Sequence, residues 1–115
     1  IDYADRRHVL IAGTASINTK GEIMYPKDIV KQTHRMWENV EALLAEAECT
    51  YDDVSEMVVY LRDVADYELV KEMYEERFPG KPYVIVLAPV CRPGWLVEME
   101  CMAVKAVNNP ELPTF

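Results

Sequence analysis

The sequence predicts an α+β protein in which two helices cover a single β-sheet, and three observations carry this prediction. Residues 29–47 and 67–77 repeat apolar side chains at three- and four-residue steps, which is typical of amphipathic helices. Residues 7–13 and 83–88 are continuously apolar, as strands covered on both faces are. Residues 91–103 alternate with period two after an initial turn. Segments in this order fit a sandwich of one sheet and one helical layer.

The first half of the chain predicts two strands and a helix. After the strand at 7–13 and a polar turn, Glu22–Tyr25 predicts a short second strand that forms a hairpin with the first. The first helix is expected to open at Pro26 and Asp28, because proline suits the first turn of a helix and an acid suits its positive end. It should run for about five turns and end near Glu48.

The second half predicts a strand, a helix and two further strands. Ser55–Arg62 alternates as a strand does. Asp66 is the expected N-cap of the second helix, because its carboxylate can accept a free backbone N–H, and that helix is expected over about Tyr67–Arg77. Tyr83–Ala88 predicts the next strand, and Cys91–Ala103 predicts the last one after its opening turn.

The last predicted strand carries two carboxylates on one face. Apolar side chains from Trp95 to Ala103 share one face, whereas Glu98 and Glu100 interrupt an apolar row on the other. That face therefore meets either water or a partner or ligand that requires acids. If they were buried, two carboxylates about 7 Å apart could hold one proton between them. For Glu100, a salt bridge between subunits is the alternative interpretation.

Length and charge limit the classes of protein. The 115 residues are enough for one domain, expected over residues 1–107, and residues 108–115 are expected to form a C-terminal tail. The formal net charge of −8 argues against a nucleic-acid partner, because phosphate-binding surfaces are basic. No apolar run is long enough for a membrane span, so no membrane partner is expected. Because the chain starts at Ile1, it could be one domain of a longer protein.

Cysteine and histidine usage indicates neither a disulfide framework nor a metal site. Cys49, Cys91 and Cys101 show no paired spacing, which indicates a reducing compartment and predicts a cytoplasmic location. His8 and His34 lie far apart, with no further ligand at metal spacing, so no metal is expected.

The predicted elements also indicate self-association. Two helices can cover one face of a sheet of four or five strands, yet two of the predicted strands are apolar on both faces. The second face then needs another cover. The sequence therefore predicts a homo-oligomer in which another subunit packs on that face.

Short motifs along nearly the whole chain resemble those of the reactive-intermediate deaminase family, also called RidA or YjgF and formerly endoribonuclease L-PSP or translation initiation inhibitor. Each motif is weak alone, but their order and spacing together identify the family. The matching segments are Ile11–Thr14 (family pattern SGQ), Gln32 with Asn39–Val40 and Leu43–Leu44, Val59–Asp63 (vYltD), Val70–Tyr74 with Phe78–Pro79 and Lys81–Pro82, and Val97–Glu100 (VEIE).

This resemblance implies a chorismate-mutase-like sandwich, with one mixed sheet and two helices on one face, assembled as a homotrimer. Small-molecule substrates would bind in clefts between the subunits. Active family members hydrolyse enamine and imine intermediates to 2-oxo acids and ammonia without a cofactor. The resemblance places the catalytic acid at Glu98, which would position a water molecule and pass protons to the leaving nitrogen.

The chain departs from the family pattern at the substrate carboxylate. The pattern has an arginine two residues after "kP", where it holds that carboxylate in a bidentate contact, and this chain has Val84 there. The closing turn is one residue shorter and contains Arg92, which becomes the candidate carboxylate holder. Further candidate substrate-binding residues are a thiol, a hydroxyl and two aromatic rings that could wall a cleft or belong to the core: Cys91, Thr14, Tyr25 and Trp95.

The sequence leaves the activity open between several functions. The first is a deaminase or related hydrolase of small imino acids. A non-catalytic, ligand-binding trimer is favoured by the loss of the arginine at Val84. A chorismatase-like hydrolase, or the C-terminal Rid-like domain of a longer protein, also fits the resemblance. RNA cleavage or translational inhibition, the functions named by the older family labels, is disfavoured by the net charge.

Overall fold

A mixed sheet of four strands and a layer of two helices make up the fold, as predicted. The computed structural model describes residues 1–114. The strands are β1 (Arg6–Ala15), β2 (Val54–Leu61), β3 (Tyr83–Leu87) and β4 (Val97–Ala106), and the helices are α1 (Ile29–Glu46) and α2 (Tyr67–Arg77). The strand order is β1-β4-β2-β3.

The central strand β4 is the one that carries both carboxylates. It pairs antiparallel with β1 on one side and with β2 on the other, while β3 pairs parallel with β2. In this register Glu98 lies opposite Ala15 of β1 and opposite Tyr60 of β2. Neighbouring strands therefore supply the immediate surroundings of Glu98 on both sides.

The two helices pack on one face of the sheet and enclose the hydrophobic core. Helix α1 begins after Asp28, whose carboxylate accepts a hydrogen bond from the backbone N–H of Lys31 at 3.0 Å. It packs on β1 and β4, and the buried residues of β4 alternate along the strand, as the period-two pattern requires. The most deeply buried side chains of the core include Met36, Trp37, Val40, Leu44, Met57, Val59, Val70, Tyr74, Val97 and Met99.

The opposite face of the sheet has no cover within residues 1–114. On this open face the side chain of Leu10 is 67% exposed and that of Val84 is 49% exposed. In the single chain the second face of residues 7–13 and 83–88 is therefore exposed, and its cover by another subunit stays a prediction. Both helices lie on one side, so the second apolar face of each strand is left to a partner or to solvent.

The predicted second strand at Glu22–Tyr25 is not formed. This segment contributes one isolated bridge, between Ile17 and Ile23, in place of a ladder. Tyr25 and Lys27 have φ values of 57° and 64°, which end the extended backbone immediately afterwards. The same positive φ at Lys27 delays the first helix, which begins at Ile29 and not at the predicted Pro26.

Two further boundaries differ from the prediction. Asp66 precedes α2, but its side chain makes no capping hydrogen bond. Asp63 accepts from the backbone N–H of Ala65 at 2.9 Å and starts a short 3-10 turn that leads into the helix, so the capping oxygen comes one turn earlier. The last strand begins at Val97, which leaves Trp95 in the preceding loop.

The two ends of the chain lie together. The backbone N–H groups of Val107 and Asn109 donate to the carbonyls of Asp5 and Ala4, and Ala4 in turn donates to Pro113. The described part of the predicted tail, residues 108–114, is thus hydrogen-bonded to the N-terminal segment, and Phe115 lies outside the described residues. Among residues 1–114, neither helix is long and apolar enough to cross a membrane.

A buried glutamine joins α1 to the loops around the end of β4. The side-chain amide of Gln32 donates to the carbonyls of Tyr25 and Gly94 at 3.1 and 3.0 Å, and its oxygen accepts from the N–H of Leu96 at 2.9 Å. Gln32 is fully buried, so its own amide group is removed from water and depends on these three partners. The helix therefore fixes both loops through one side chain.

Replacing Gln32 should destabilise the fold more than replacing its buried neighbour. Gln32→Leu removes three hydrogen bonds that tie α1 to the loops at Tyr25, Gly94 and Leu96, and we expect a loss of about 3 kcal/mol in the free energy of unfolding. Thr33→Val is the matched control, because the Thr33 hydroxyl bonds within its own helix to Ile29, and should cost about 1 kcal/mol or less. Urea denaturation measures both; equal losses would contradict this role for Gln32.

Candidate functional site

The carboxylate of Glu98 lies directly against the backbone of Gly13. The shift in the β1–β4 register between Ile11 and Thr14 leaves Gly13 without a paired residue on β4. A Cβ atom built on Gly13 would occupy the space of the Glu98 Oε1 atom. Glu98 can therefore take this position only because residue 13 has no side chain.

A second contact to this carboxylate comes from the loop that precedes β4. The backbone nitrogen of Cys91 lies 3.5 Å from Oε2 of Glu98, and the Cys91 thiol sulfur lies 3.9 Å from Oε1. Cys91 is exposed and Glu98 is half-buried, so the group is open to solvent at one side. The structure thus brings together two of the residues that the sequence predicted for the site.

Glu100, the second acid on the open face, is held by Tyr60. The phenol of Tyr60 donates to Glu100 Oε1 at 2.6 Å. This hydrogen bond is the largest of the causes that raise the pKa of Tyr60, and the charges of Glu100 and Glu98 raise it as well. The phenol therefore stays protonated as a donor at neutral pH. Glu98 and Glu100 differ accordingly: one accepts from a tyrosine, and the other meets Gly13 and Cys91.

Arg92 contacts Gly21 and Trp95 in the single chain. Its guanidinium donates to the carbonyl of Gly21 at 2.8 Å and lies 5.1 Å from the centre of the Trp95 ring. Adjacent side chains along the chain point in different directions, so Cys91 faces Glu98 while Arg92 faces the loop around Gly21. Arg92 and Glu98 thus make separate contacts in the single chain, and the role of Arg92 as holder of the substrate carboxylate stays a prediction.

Thr14 and Trp95 line a groove between β1 and α1, and Gly13 forms part of the same groove. The groove has a volume of about 410 Å³. Asn39 forms part of its wall and donates to the carbonyls of Ala15 and Ile17 at 2.9 Å each, which fixes the end of β1. Trp95 donates its indole N–H to the Ser16 carbonyl, and the Thr14 hydroxyl donates to the Ala12 carbonyl.

Tyr25 is the predicted site residue that the structure sets apart. Its ring is 41% exposed and lies 5.9 Å from the ammonium group of Lys31. Tyr25 contributes to neither the groove between β1 and α1 nor the contacts of Glu98. In the single chain it therefore does not form a wall of the same site.

A shallow hollow of about 400 Å³ extends the site across the open face. It includes Glu100, two residues from Glu98 along β4, and combines apolar side chains with two carboxylates. Its lining includes Leu10, Ala12, Glu56, Val58, Glu100 and Met102. An acid at one edge and an apolar floor suit a small organic molecule, which such surfaces orient through a few polar groups.

Gly13 and Tyr60 are the site residues that sequence reasoning missed. The alternation of β4 predicted which side chains share a face with Glu98, but contacts between residues far apart in the chain depend on the strand order. Apart from Gly13 itself, no residue in this stretch of the sequence indicates a bulge.

The fold and the site define a class of small α+β protein in which a carboxylate lies near the start of the central strand, on a sheet face that no helix covers. A family model described as Endoribonuclease L-PSP matches residues 3–105. A RutC family protein of Pyrococcus abyssi is 34% identical over 99 residues, covering 84% of this chain and 78% of that protein. The chain therefore belongs to the endoribonuclease L-PSP family, the family also called RidA or YjgF.

Solved structures show the same fold. A crystal structure described as a putative endoribonuclease L-PSP from Entamoeba histolytica superposes with a TM-score of 0.73 at 26% identity, covering 84% of this chain and 78% of that one. A Yersinia pestis protein of the conserved Rid family, itself described as of unknown function, gives a TM-score of 0.74 at 26% identity, with 84% and 79% covered. Both agree with the resemblance found in the sequence motifs.

The three thiols should differ sharply in reactivity. Burial raises the pKa of Cys101 to about 11 and raises that of Cys49, whereas Cys91 is exposed. We expect Ellman's reagent at about pH 8 to modify one thiol per folded chain rapidly, because the exposed thiol alone is accessible. Cys91→Ser should remove this rapid phase. Rapid modification of a second thiol in the folded protein would contradict the arrangement.

Proposed function

We propose that the chain is a cofactor-free hydrolase of small enamine and imine compounds, with Glu98 as its acid–base group. The observation that supports this proposal is the seating of the Glu98 carboxylate between Gly13 and Cys91. A carboxylate packed against the Gly13 backbone, yet open to solvent on one side, can hold a water molecule and a substrate at once.

The proposed reaction needs one carboxylate in two protonation states. Glu98 accepts a proton from water as the water oxygen adds to the C=N carbon, which gives a carbinolamine. With the imine in its protonated form, Glu98 then returns this proton to the nitrogen as the C–N bond breaks, and the carbinolamine hydroxyl loses its own proton to solvent, which releases ammonia and a carbonyl compound. A single group performs both transfers when its carboxylate is within hydrogen-bond reach of the attacking water and of the leaving nitrogen.

The proposed active form is a homotrimer in a reducing compartment such as the cytoplasm. The open face carries Leu10 and Val84 at high exposure, and a second copy of the chain would cover them and close the hollow beside Glu98. All three cysteines are free thiols, as a reducing compartment keeps them. The partner copy would then supply part of each cleft.

A non-catalytic, ligand-binding trimer is the second candidate, and two observations favour it. Val84 stands where the family pattern has the arginine that holds a substrate carboxylate, and Arg92 is engaged by Gly21 and Trp95. RNA cleavage, the activity that older labels name, has weaker support, because a net charge of −8 and an open face with three glutamates oppose phosphate binding.

Replacing Glu98 by its neutral isostere separates the two candidates. We expect Glu98→Gln to lower the rate of 2-iminobutyrate hydrolysis by about 10²–10⁴-fold, because the amide cannot shuttle a proton. Glu100→Gln is the comparison and should lose less than about tenfold, since Glu100 is bonded to Tyr60. Ammonia release measures both. A wild-type rate no higher than that of buffer, with ligand binding retained, would favour the second candidate.

A charge on the open face should break the proposed trimer. Leu10→Lys places an ammonium group in the expected interface, and we expect the mass from sedimentation to fall from three chains to one. Leu69→Lys is the control, because Leu69 is partly exposed on α2, in the helical layer on the other side of the sheet. A wild-type monomer, or dissociation by the control alone, would contradict the proposed assembly.

A further inference from the structure

The loop from Val90 to Leu96 carries Cys91 to its place beside Glu98. It connects β3 with β4 and contains a turn in which Trp95 donates its N–H to the Arg92 carbonyl at 3.1 Å. Cys91 itself is exposed, and its contacts to Glu98 are long, at 3.5 and 3.9 Å. Those contacts alone are too weak to fix the loop, so its position must come from elsewhere.

Gln32 binds this loop at Gly94 and Leu96, and Arg62 binds it on both sides of Cys91. Arg62 follows β2, and its terminal nitrogen donates to the carbonyls of Val90 and Arg92, at 3.2 and 2.8 Å. Its Nε donates to the carbonyl of Trp95 at 2.8 Å, and its backbone N–H donates to Leu96. One arginine therefore binds both carbonyls that flank Cys91 and the far end of the same loop.

The chemistry of these contacts explains why an arginine is required. The guanidinium is planar, always charged, and presents several N–H donors in a fixed arrangement, so it can meet three carbonyls at once. Arg62 is half-buried, which limits competition from water. Hydrogen bonds from a charged donor contribute more than those between neutral groups.

We propose that Arg62 is the positioning residue of the candidate site. It acts through the Val90–Leu96 loop: by holding the carbonyls on both sides of Cys91, it sets the Cys91 amide and thiol against the Glu98 carboxylate. The role in catalysis rests on the proposed hydrolase function, whereas the control of the loop stands on the contacts alone.

The test compares Arg62→Met with Arg7→Met in the full chain. Met matches the length of the arginine stem but has no donor. Arg7 also makes three side-chain hydrogen bonds, to Asp2 and Ala47, at the far end of β1. Both variants lose three side-chain hydrogen bonds, so a general loss of stability should appear in both. A change in the mobility of residues 90–96 should appear in Arg62→Met alone.

We expect amide hydrogen exchange in residues 90–96, and Ellman modification of Cys91, to accelerate about tenfold or more in Arg62→Met and to stay at the wild-type rate in Arg7→Met. Arg62→Lys should give an intermediate rate, because one ammonium group cannot reach carbonyls on both sides of the loop. Arg62→Lys also provides the measurement if the methionine variant does not fold.

The rate of hydrolysis tests the role of Arg62 in catalysis separately from its control of the loop. Where the wild type hydrolyses 2-iminobutyrate, kcat should fall about ten- to a hundredfold in Arg62→Met and remain unchanged in Arg7→Met. A wild type without hydrolysis overturns the proposed function but leaves the exchange result to decide the role of Arg62. Unchanged exchange and thiol rates in both Arg62 variants would overturn the positioning role.

Discussion

The close approach of the Glu98 carboxylate to Gly13 is the constraint on which the site depends. The register shift in β1 turns residue 13 out of the ladder, and the absent side chain leaves room for the acid. The loop before β4 then approaches the same carboxylate from its other side through Cys91. The site thus arises from three backbone segments that meet at one side chain, and any bulk at residue 13 would displace the acid.

The one-sided cover of the sheet decides how the site can be used. Both helices pack on one face and bury the core, and fully buried Gln32 fixes the loops at the end of β4 from that side. The opposite face keeps Leu10 and Val84 exposed, and it carries a hollow that Leu10 and Glu100 line. An apolar face with a functional group at its edge is what a cleft between subunits requires before assembly.

Periodicity and alternation made much of this fold predictable from the sequence. The helix Tyr67–Arg77 has the predicted bounds, and the alternation of β4 placed Glu98 and Glu100 on one face. Local sequence patterns failed where a non-glycine residue takes a positive φ. Tyr25 does so, and the strand predicted at Glu22–Tyr25 is therefore not formed. The direction of Arg92 depends on contacts with distant loops, which no local pattern encodes.

Chemical-shift mapping of a bound product would test the central claim most directly. The claim is that a small 2-oxo acid binds where Gly13, Cys91 and Glu98 meet. Titration of isotope-labelled protein with 2-oxobutyrate should move the backbone amide signals of these three residues first and most strongly. Shifts that cluster elsewhere, or no shift at these amides under saturating ligand, would contradict the account.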